Sequence, residues 1–223
     1  EKEKLASYHA QGYTSWPSRL GYATRRVVKA EDQAKVWAGR KAGLGLMMNV
    51  PGKAKPLPFV EDTAVSPEVL PEFVRRFDEI VRDHGTTAGY YGHASVGCLH
   101  IRPLIDLTLQ DDVDRMVSIA TQISDLTLEF GGSMSGEHGD GLVRSHWNEK
   151  MFGSQIYEAF RQVKAAFDPN GIMNPGKIVD APPMTENLRA SPAYRTREVK
   201  TAFVYPQEGG FAGAIDMCNG QGA

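Results

Sequence analysis

Residues 89–103 have the sequence GYYGHASVGCLHIRP, which predicts two short strands joined by a glycine-containing connection. The strands are expected at residues 89–94 and 97–103, close enough along the chain to pair with each other. In the second strand Leu99 and Ile101 alternate with Cys98, His100 and Arg102. Because side chains of a strand point to opposite faces in turn, the pattern predicts one apolar and one polar face.

Helices are predicted on the N-terminal side of this hairpin. Residues 31–44 are expected to form a helix that ends at Gly43 or Gly45. A second helix is expected to start at Ser66, which can cap it, with Pro67 in the first helical position, where no N–H is needed. Its apolar residues recur three to four positions apart, which indicates one buried face. Those residues are Val69, Leu70, Phe73, Phe77, Ile80 and Val81.

Two further helices are predicted on the C-terminal side. The first covers residues 111–130, and the last contains apolar residues between Phe152 and Phe167 at helical spacing. The turn-forming residues 168–171 are expected to end the last helix.

The remaining segments complete the predicted fold. Strands are expected at residues 23–28 and 59–65, with a loop at 53–58 and a glycine-rich turn or strand at 131–141. The resulting order of strands and helices predicts an α+β domain, with helices packed on a mostly antiparallel sheet.

Composition narrows the class of protein. The chain has 223 residues, 41% of them hydrophobic and 23% charged, with a formal net charge of −2. This charge and the lack of a basic stripe argue against a nucleic-acid partner. The sequence shows neither a run of 18 apolar residues nor a signal peptide, so no transmembrane segment is expected. Two cysteines favour a reducing compartment. A cytoplasmic location is expected, with peripheral attachment to the inner face of the membrane left open.

His93 and His100 flank the connection of the hairpin, so pairing of the strands can bring their imidazoles together. Neutral imidazole is a common ligand of zinc-like divalent metals. Taken alone, two such histidines are more often ordinary surface or core residues than ligands.

Residues 135–141 form a second candidate segment, in which Glu137 and His138 stand among three glycines. A carboxylate can complete a His-His-Glu metal site, and an adjacent imidazole can act as a general base near neutral pH. A plain glycine-rich hairpin with solvated charges explains the segment about equally well. A third segment, residues 168–177, reads by itself as two turns that close a helix.

Together, in this order, the three segments resemble the C-terminal domain of FAD-linked oxidases of the vanillyl-alcohol-oxidase superfamily. That group includes D-lactate and D-2-hydroxyglutarate dehydrogenases and a glycolate oxidase subunit. The resemblance covers about residues 25–178 and includes a Trp-x-x-Arg helix, matched here by Trp37 and Arg40.

The resemblance implies a role for each matched residue. His93, His100 and Glu137 would bind a divalent metal, for which zinc, manganese and iron are all suitable. His138 would take the proton of the hydroxyl group of a small-molecule D-2-hydroxy acid such as lactate or 2-hydroxyglutarate, and the C2 hydride would pass to FAD. The remaining roles are substrate binding by Arg40 and contact with the flavin by Asn174 and Lys177.

Three positions bear on the substrate and the metal. Relatives specific for D-2-hydroxyglutarate carry a substrate-binding lysine two residues before the match to Asp62, where this chain has Val60. They carry asparagine where this chain has Arg102, which shares a strand face with His100 and can still meet an anion. Cys98 shares that face too, as a small buried residue or, less readily, as a soft metal ligand.

Domain organisation follows from the same resemblance. Residues 1–180 are expected to be the substrate and metal domain of a fragment that lacks the N-terminal FAD-binding half, and FAD would be bound mainly by that half. Residues 181–223 are expected to be a linker and the truncated start of an iron–sulfur module, because Cys218 resembles the first cysteine of a Cys-x-Gly-x-Gly-x-Cys run. A loose glycine-rich tail with a chance cysteine is the alternative.

Two other functions remain open from the sequence. A flavin-free metal-dependent hydrolase can use the same His-His-Glu set with an activated water. A non-catalytic docking domain can keep the scaffold without the chemistry. The electron acceptor and the oligomeric state, for which a homo-oligomer is one option, are also left open.

Overall fold

The computed structural model describes residues 27–217. The chain divides into two compact units between Leu44 and Gly45. Helix α1, Ala30–Met48, starts before this division and ends after it. The other helices and strands lie in the second unit: β1 (Lys55–Pro56), β2 (Thr63–Ala64), α2 (Leu70–Asp83), β3 (Ala88–His93), β4 (Cys98–Ile105), α3 (Gln110–Glu129), α4 (Gly141–Arg144), α5 (Asn148–Phe167) and α6 (Phe211–Asp216).

Helix α1 is longer than predicted, so the expected end at Gly43 or Gly45 is wrong. Neither glycine has the positive φ of a glycine that terminates a helix. A glycine inside a helix costs only about 1 kcal/mol relative to alanine, and the leucine and methionine residues that follow favour continuation. Of the strand predicted at residues 23–28, only Val27 and Val28 are described, and neither is in a strand.

Strand β4 is the centre of a four-stranded antiparallel sheet. Strand β3 pairs along one edge of β4, and the two-residue strands β1 and β2 pair with its C-terminal and N-terminal ends along the other edge. The predicted hairpin is therefore confirmed. The predicted α+β class is also confirmed, since helices and an antiparallel sheet make up the second unit.

The two faces of β4 separate the core from the polar residues. Ile101 and Ile105 are almost fully buried on one face, in a cluster with side chains of α2 and α3. Phe73 and Phe77 of α2 contribute rings packed edge to face 6.0 Å apart. The opposite face carries Cys98, His100 and Arg102, and these side chains are also buried. The polar face of β4 is thus enclosed rather than solvated.

The strand predicted at residues 59–65 is largely wrong. Only Thr63 and Ala64 are in a strand, whereas Phe59 and Val60 enter the core from an irregular segment. Asp62 interrupts the extended backbone because its φ is +72°. The loop predicted at residues 53–58 contains β1, whose Pro56 is tolerated because the strand is short and lies at the edge.

Helix α2 begins later than predicted. Val69 occupies the N-cap position and Pro71 is the proline of the first turn, so the roles assigned to Ser66 and Pro67 are wrong. Ser66 and Pro67 instead form a separate turn, in which the Val69 amide donates to the Ser66 carbonyl at 3.1 Å. The Ser66 hydroxyl is engaged by the Glu68 carboxylate.

The two long helices after the hairpin differ in how their apolar residues are used. Helix α3 matches its prediction within one residue and has nine buried residues. Helix α5 includes Gly153 with a non-helical φ of 77°, and only its Asn148 and Tyr157 are buried. Its apolar stripe is largely exposed, as at Phe167, which is 78% accessible. Within residues 27–217, no helix is long and apolar enough to cross a bilayer.

Candidate metal and substrate site

The hairpin places His93 and His100 on the same face of the sheet. His93 pairs with Cys98, and His100 pairs with Tyr91, so the two histidines are diagonal neighbours across the strands. Their ring centroids lie 5.5 Å apart with the planes nearly perpendicular. The hairpin therefore brings the two imidazoles together, as their spacing predicts.

Asp62 holds the loop that carries Glu137 and His138. Its buried carboxylate accepts hydrogen bonds from the amide of Glu137 at 3.1 Å, the amide of His138 at 2.8 Å and the hydroxyl of Ser135 at 3.0 Å. The amide of Gly136 donates to the Asp62 carbonyl at 2.7 Å. Burial by itself raises the pKa of Asp62, but the hydrogen bonds from the His138 and Glu137 amides outweigh it, and the pKa is lowered.

Three imidazoles converge on a single oxygen of Glu137. Its Oε1 atom lies 3.3 Å from Nε2 of His93, 3.0 Å from Nε2 of His100 and 3.2 Å from Nε2 of His138. His138 stacks on His100, with the centroids 4.8 Å apart and the rings within 8° of parallel. The structure thus brings together the four residues that the sequence assigns to metal binding and catalysis.

Exposure differs within this group of four residues. The His100 side chain is 2% accessible, whereas His93, Glu137 and His138 are between 41% and 49% accessible. Burial is the main reason that the pKa of His100 is lowered, which favours its neutral form. The site therefore has a buried floor and an open side that a small molecule can approach.

The residues present fit a divalent metal. Two or three neutral imidazole nitrogens and one carboxylate oxygen are a donor set that zinc, manganese and iron accept. The Nδ1 atom of His100 is buried and has no hydrogen-bond partner among the described residues. Its other ring nitrogen, Nε2, faces Oε1 of Glu137 at 3.0 Å and is the atom available to a metal.

Cys98 is poorly suited to bind that metal. Burial, followed by its hydrogen bond to Asp62, raises the pKa of Cys98 to about 12, so the thiol stays protonated. Its Sγ atom lies 3.4 Å from Oδ1 of Asp62 and donates to it. Ligand atoms of Asp62, Cys98, His100 and Glu137 lie within 4.8 Å of one another, but the Cys98 thiol is engaged by Asp62 rather than by the imidazole cluster.

Arg102 lies on the same face but is already paired. Its Nε atom donates to Oε2 of Glu61 at 2.5 Å, its Nη1 atom lies 3.3 Å from the Met48 sulfur, and its guanidinium stacks over Tyr91. Both partners of the Arg102–Glu61 ion pair are about 90% buried. Val60, at the position of the relatives' lysine, is fully buried in the apolar core.

The other residues with predicted roles lie outside the cluster of His93, His100, Glu137 and His138. Asn174 is exposed with a φ of +47°, and Nζ of Lys177 donates to the Pro175 carbonyl at 3.3 Å. Their turn is held by Asp168, whose carboxylate accepts hydrogen bonds from the amides of Ile172 and Met173. Arg40 lies on α1 in the other compact unit, and its role stays a prediction.

Sequence reasoning missed the buried charged residues behind the site. Asp62 orders the Glu137–His138 loop, and Arg144 binds the carbonyls of Glu61 and Gly139. The signal that was available is the pair of adjacent carboxylates that directly follows two apolar residues, Phe59 and Val60. Acidic side chains next to core residues are rarely buried unless they are paired.

Comparison with known protein families agrees with the motifs from which the site is built. A family model described as FAD linked oxidases, C-terminal domain, matches residues 15–178. This chain belongs to that family. The match spans every residue for which the sequence predicts a role in metal, substrate or flavin binding, and the predicted resemblance to FAD-linked oxidases is confirmed.

Several curated proteins are similar to this FAD-linked oxidase domain. The D-2-hydroxyglutarate dehydrogenase of Haemophilus influenzae is 38% identical over 190 residues, which cover 84% of this chain and 18% of that protein. The enzyme of the same name from Pseudomonas putida is 39% identical over 170 residues, 76% of this chain and 16% of that protein. The D-lactate dehydrogenase of Archaeoglobus fulgidus is 36% identical over 120 residues, 54% of this chain and 26% of that protein. The chain spans less than a fifth of the first two relatives.

Proposed function

We propose that this chain is the substrate-binding and metal-binding part of a flavin-dependent D-2-hydroxy-acid dehydrogenase. The observation that carries the proposal is the convergence of three imidazole nitrogens on one oxygen of Glu137, within a domain of the FAD-linked oxidase family. The relatives named above act on D-2-hydroxyglutarate or D-lactate by their names, which supports this substrate class.

The proposed reaction removes a proton and a hydride from the substrate. FAD, when bound, would accept the hydride from C2, and the proton of the 2-hydroxyl group would pass to a base of this chain, so that a 2-oxo acid results. His138 is the proposed proton acceptor, because it is half exposed at the open side of the site and its Nε2 atom faces the Glu137 carboxylate at 3.2 Å. The buried ring of His100 supports it from behind by stacking.

His93, His100 and Glu137 are the residues that would hold the metal. When bound, a divalent metal supplies Lewis-acid polarisation of the substrate hydroxyl and a fixed template for its oxygens. Glu137 keeps its place because its own amide is bound by Asp62. Zinc, manganese and iron remain equally suitable ions.

Recognition of the substrate carboxylate is proposed for Arg40 and, more weakly, for Arg102. Arg102 lies on the same face of the sheet as His100, but its Nε atom is already paired with the Glu61 carboxylate, which neutralises the charge of its guanidinium group. Val60 occupies the position of the substrate-binding lysine of the resembling D-2-hydroxyglutarate-specific enzymes. Because Val60 is buried in the apolar core, a lysine at this position would have to leave the core to reach the site. Both lactate and 2-hydroxyglutarate therefore remain candidate substrates.

The flavin is proposed to be bound mainly by a part of the protein outside this chain. The exposed apolar stripe of α5 and the turn after it are the proposed surface for that part, because Asn174 and Lys177 lie next to exposed Ile172 and Met173. Residues 1–180 form the proposed substrate domain, although Met184, just beyond this boundary, is buried with the core. The proposed iron–sulfur module rests on Cys218, which lies outside the described residues.

The proposal is tested by anaerobic mixing of the full-length flavoprotein with D-lactate and D-2-hydroxyglutarate, with bleaching of the flavin absorbance as the readout. Wild-type protein is expected to be reduced by at least one D-enantiomer and not by its L-enantiomer. Replacement of His138 by alanine is expected to slow reduction by about 100-fold or more, the usual contribution of a general base. Reduction of His138→Ala at the wild-type rate would show that the role of His138 is wrong.

Membership of an FAD-linked family weighs against the flavin-free hydrolase that the His-His-Glu set leaves open. The intact arrangement of His93, His100, Glu137 and His138 weighs against a docking domain that has lost its chemistry.

A further inference from the structure

Glu61 lies behind the two stacked imidazoles of the site. The Nε2 atoms of His100 and His138 both face Glu137, which leaves Nδ1, the other nitrogen of each ring, for a second partner. Nδ1 of His138 is 3.5 Å from Oε1 of Glu61. One oxygen of Glu61 and one ring nitrogen of each histidine all lie within 4.8 Å of one another.

The Glu61 carboxylate is fixed in place. The side chain is 8% accessible, and its Oε2 atom accepts the Nε–H of Arg102 at 2.5 Å. The Arg102 guanidinium is itself held over the Tyr91 ring, 5.6 Å from its centroid. Since Oε2 is engaged by Arg102, Oε1 is the oxygen left to face His138.

The histidines need such a group on this side. When a histidine binds a metal or accepts a proton through Nε2, its Nδ1 carries hydrogen and has to donate it to an acceptor, most often a carboxylate, a carbonyl or a water. His100 Nδ1 is buried and has no partner among the described residues. The carboxylate of Glu61 is placed to be that acceptor, because its Oε1 atom is 3.5 Å from Nδ1 of His138 and one of its oxygens is within 4.8 Å of a ring nitrogen of His100.

We propose that Glu61 is a positioning residue for both imidazoles. It holds His100 and His138 in the tautomer with hydrogen on Nδ1, so that both Nε2 lone pairs point into the site. Arg102 then serves chiefly to anchor Glu61. This inference rests on the proposed function, because it assigns His100 to the metal and His138 to the proton.

A purely structural ion pair between Glu61 and Arg102 is the competing explanation, and the two make different predictions. Removal of one partner of a buried ion pair leaves an uncompensated charge and destabilises the fold, whereas removal of both does not. A structural pair therefore predicts matched losses in Glu61→Gln and Arg102→Gln that the double variant reverses. A positioning role predicts that the double variant binds metal as weakly as Glu61→Gln does, because the loss depends on the absence of the Glu61 carboxylate.

The test is a titration of the metal-stripped full-length protein with zinc and with manganese against a competing chelator. It compares wild type, Glu61→Gln, Arg102→Gln and the double variant, and uses Glu129→Gln as a control in which an exposed ion pair with Arg76 loses the same charge. Chemical denaturation reports the stability of each variant, and steady-state kinetics separate kcat from KM.

We expect Glu61→Gln and the double variant to bind metal about 10–100-fold more weakly than wild type, the usual effect of losing an outer-shell carboxylate. Their kcat should fall more than their KM rises, because His138 loses its orientation. Glu129→Gln should keep wild-type metal affinity, and Arg102→Gln should lose less affinity than Glu61→Gln, because the Glu61 carboxylate is still present without its anchor.

Wild-type metal affinity in Glu61→Gln would overturn the inference, as would losses shared with Arg102→Gln and reversed in the double variant. Either result leaves the proposed function intact, provided that wild type binds metal and a His93→Ala/His100→Ala variant does not. A wild type that binds neither metal overturns the metal site of the proposed function and this inference with it.

Discussion

Asp62 is the residue on which the shape of the site depends most. One buried carboxylate orders the loop of Glu137 and His138 by accepting both of their amide hydrogens. The positive φ of Asp62 turns the chain away from the strand that would otherwise continue through it. The site is thus built around a residue that has no direct role in the chemistry.

Replacement of Asp62 by asparagine should destabilise the domain at neutral pH by about 3 kcal/mol. The charged acceptor of four hydrogen bonds, from Glu137, His138, Ser135 and Cys98, is lost, and the new amide group faces N–H donors that it cannot satisfy. Urea unfolding of wild type and Asp62→Asn measures the difference. Equal free energies of unfolding at pH 7 would contradict the account of the loop.

The same pair of proteins should show a defined pH dependence. Because the folded state lowers the pKa of Asp62, its ionised carboxylate stabilises the fold above the unfolded pKa, near 3.8, and this contribution is lost as the pH falls through the folded pKa. The difference in free energy of unfolding between wild type and Asp62→Asn should therefore have its full value at pH 6–7 and decrease below about pH 4. A difference that increases as the pH falls would mean that folding raises the pKa of Asp62 instead of lowering it.

Gly97 sets the geometry at the end of the hairpin connection. Its φ is +73°, and a Cβ atom there would lie 1.8 Å from the carbonyl oxygen of Val65. Gly85 has a similar φ of +69° with open space around it, so it is a matched control. Gly85→Ala should cost about 1–2 kcal/mol from backbone strain alone, and Gly97→Ala about 1–3 kcal/mol more from overlap. Equal costs in thermal or urea unfolding would mean that the close approach to Val65 is unimportant.

Among the elements, helices α2 and α5 show how the same sequence pattern can have different outcomes. Both have apolar residues at helical spacing, but Phe73, Phe77 and Val81 of α2 are buried, whereas the stripe of α5 is largely exposed. Periodicity predicts that a helix has an apolar side, and it does not show what covers that side. The proposed answer for α5 is the flavin-binding part of the protein.

Substitutions in these two helices should therefore behave differently. Phe77→Ala should lower the free energy of unfolding by about 3–5 kcal/mol, while Phe167→Ser should change that of the isolated chain by less than about 0.5 kcal/mol. In the full-length protein Phe167→Ser should lower stability or flavin occupancy, since the proposed partner surface is altered. A neutral Phe167→Ser in the full-length protein would remove α5 from the proposed interface.

The elements differ in how far the sequence could predict them. The hairpin was predictable because both strands are local, alternate strictly and pair across a short connection. Helix α1 passed through Gly43 and Gly45 because the usual stop signal requires a positive φ, which the sequence does not encode. The strand at residues 59–65 failed because the conformation of Asp62 is set by contacts with residues more than 70 positions away.

On the scale of the whole molecule, the four central residues of the site could be predicted from the sequence, but the residues that support them could not. His93, His100, Glu137 and His138 follow from their spacing and from a family resemblance that is now confirmed. The Glu61–Arg102 pair and the Asp62 contacts join segments that are distant along the chain, so the adjacent carboxylates at positions 61 and 62 do not reveal their own partners. The partners of such buried charges become visible only when the fold places them together.

The central claim is that His93, His100 and Glu137 form one metal site, and metal content tests it most directly. The full-length protein, purified without chelators, should contain about one divalent metal per chain by elemental analysis, and the His93→Ala/His100→Ala variant should contain almost none. A His84→Ala/His146→Ala variant removes two histidines outside the site and should keep the metal. Metal retained in the His93→Ala/His100→Ala variant, or lost equally in both double variants, would contradict the claim.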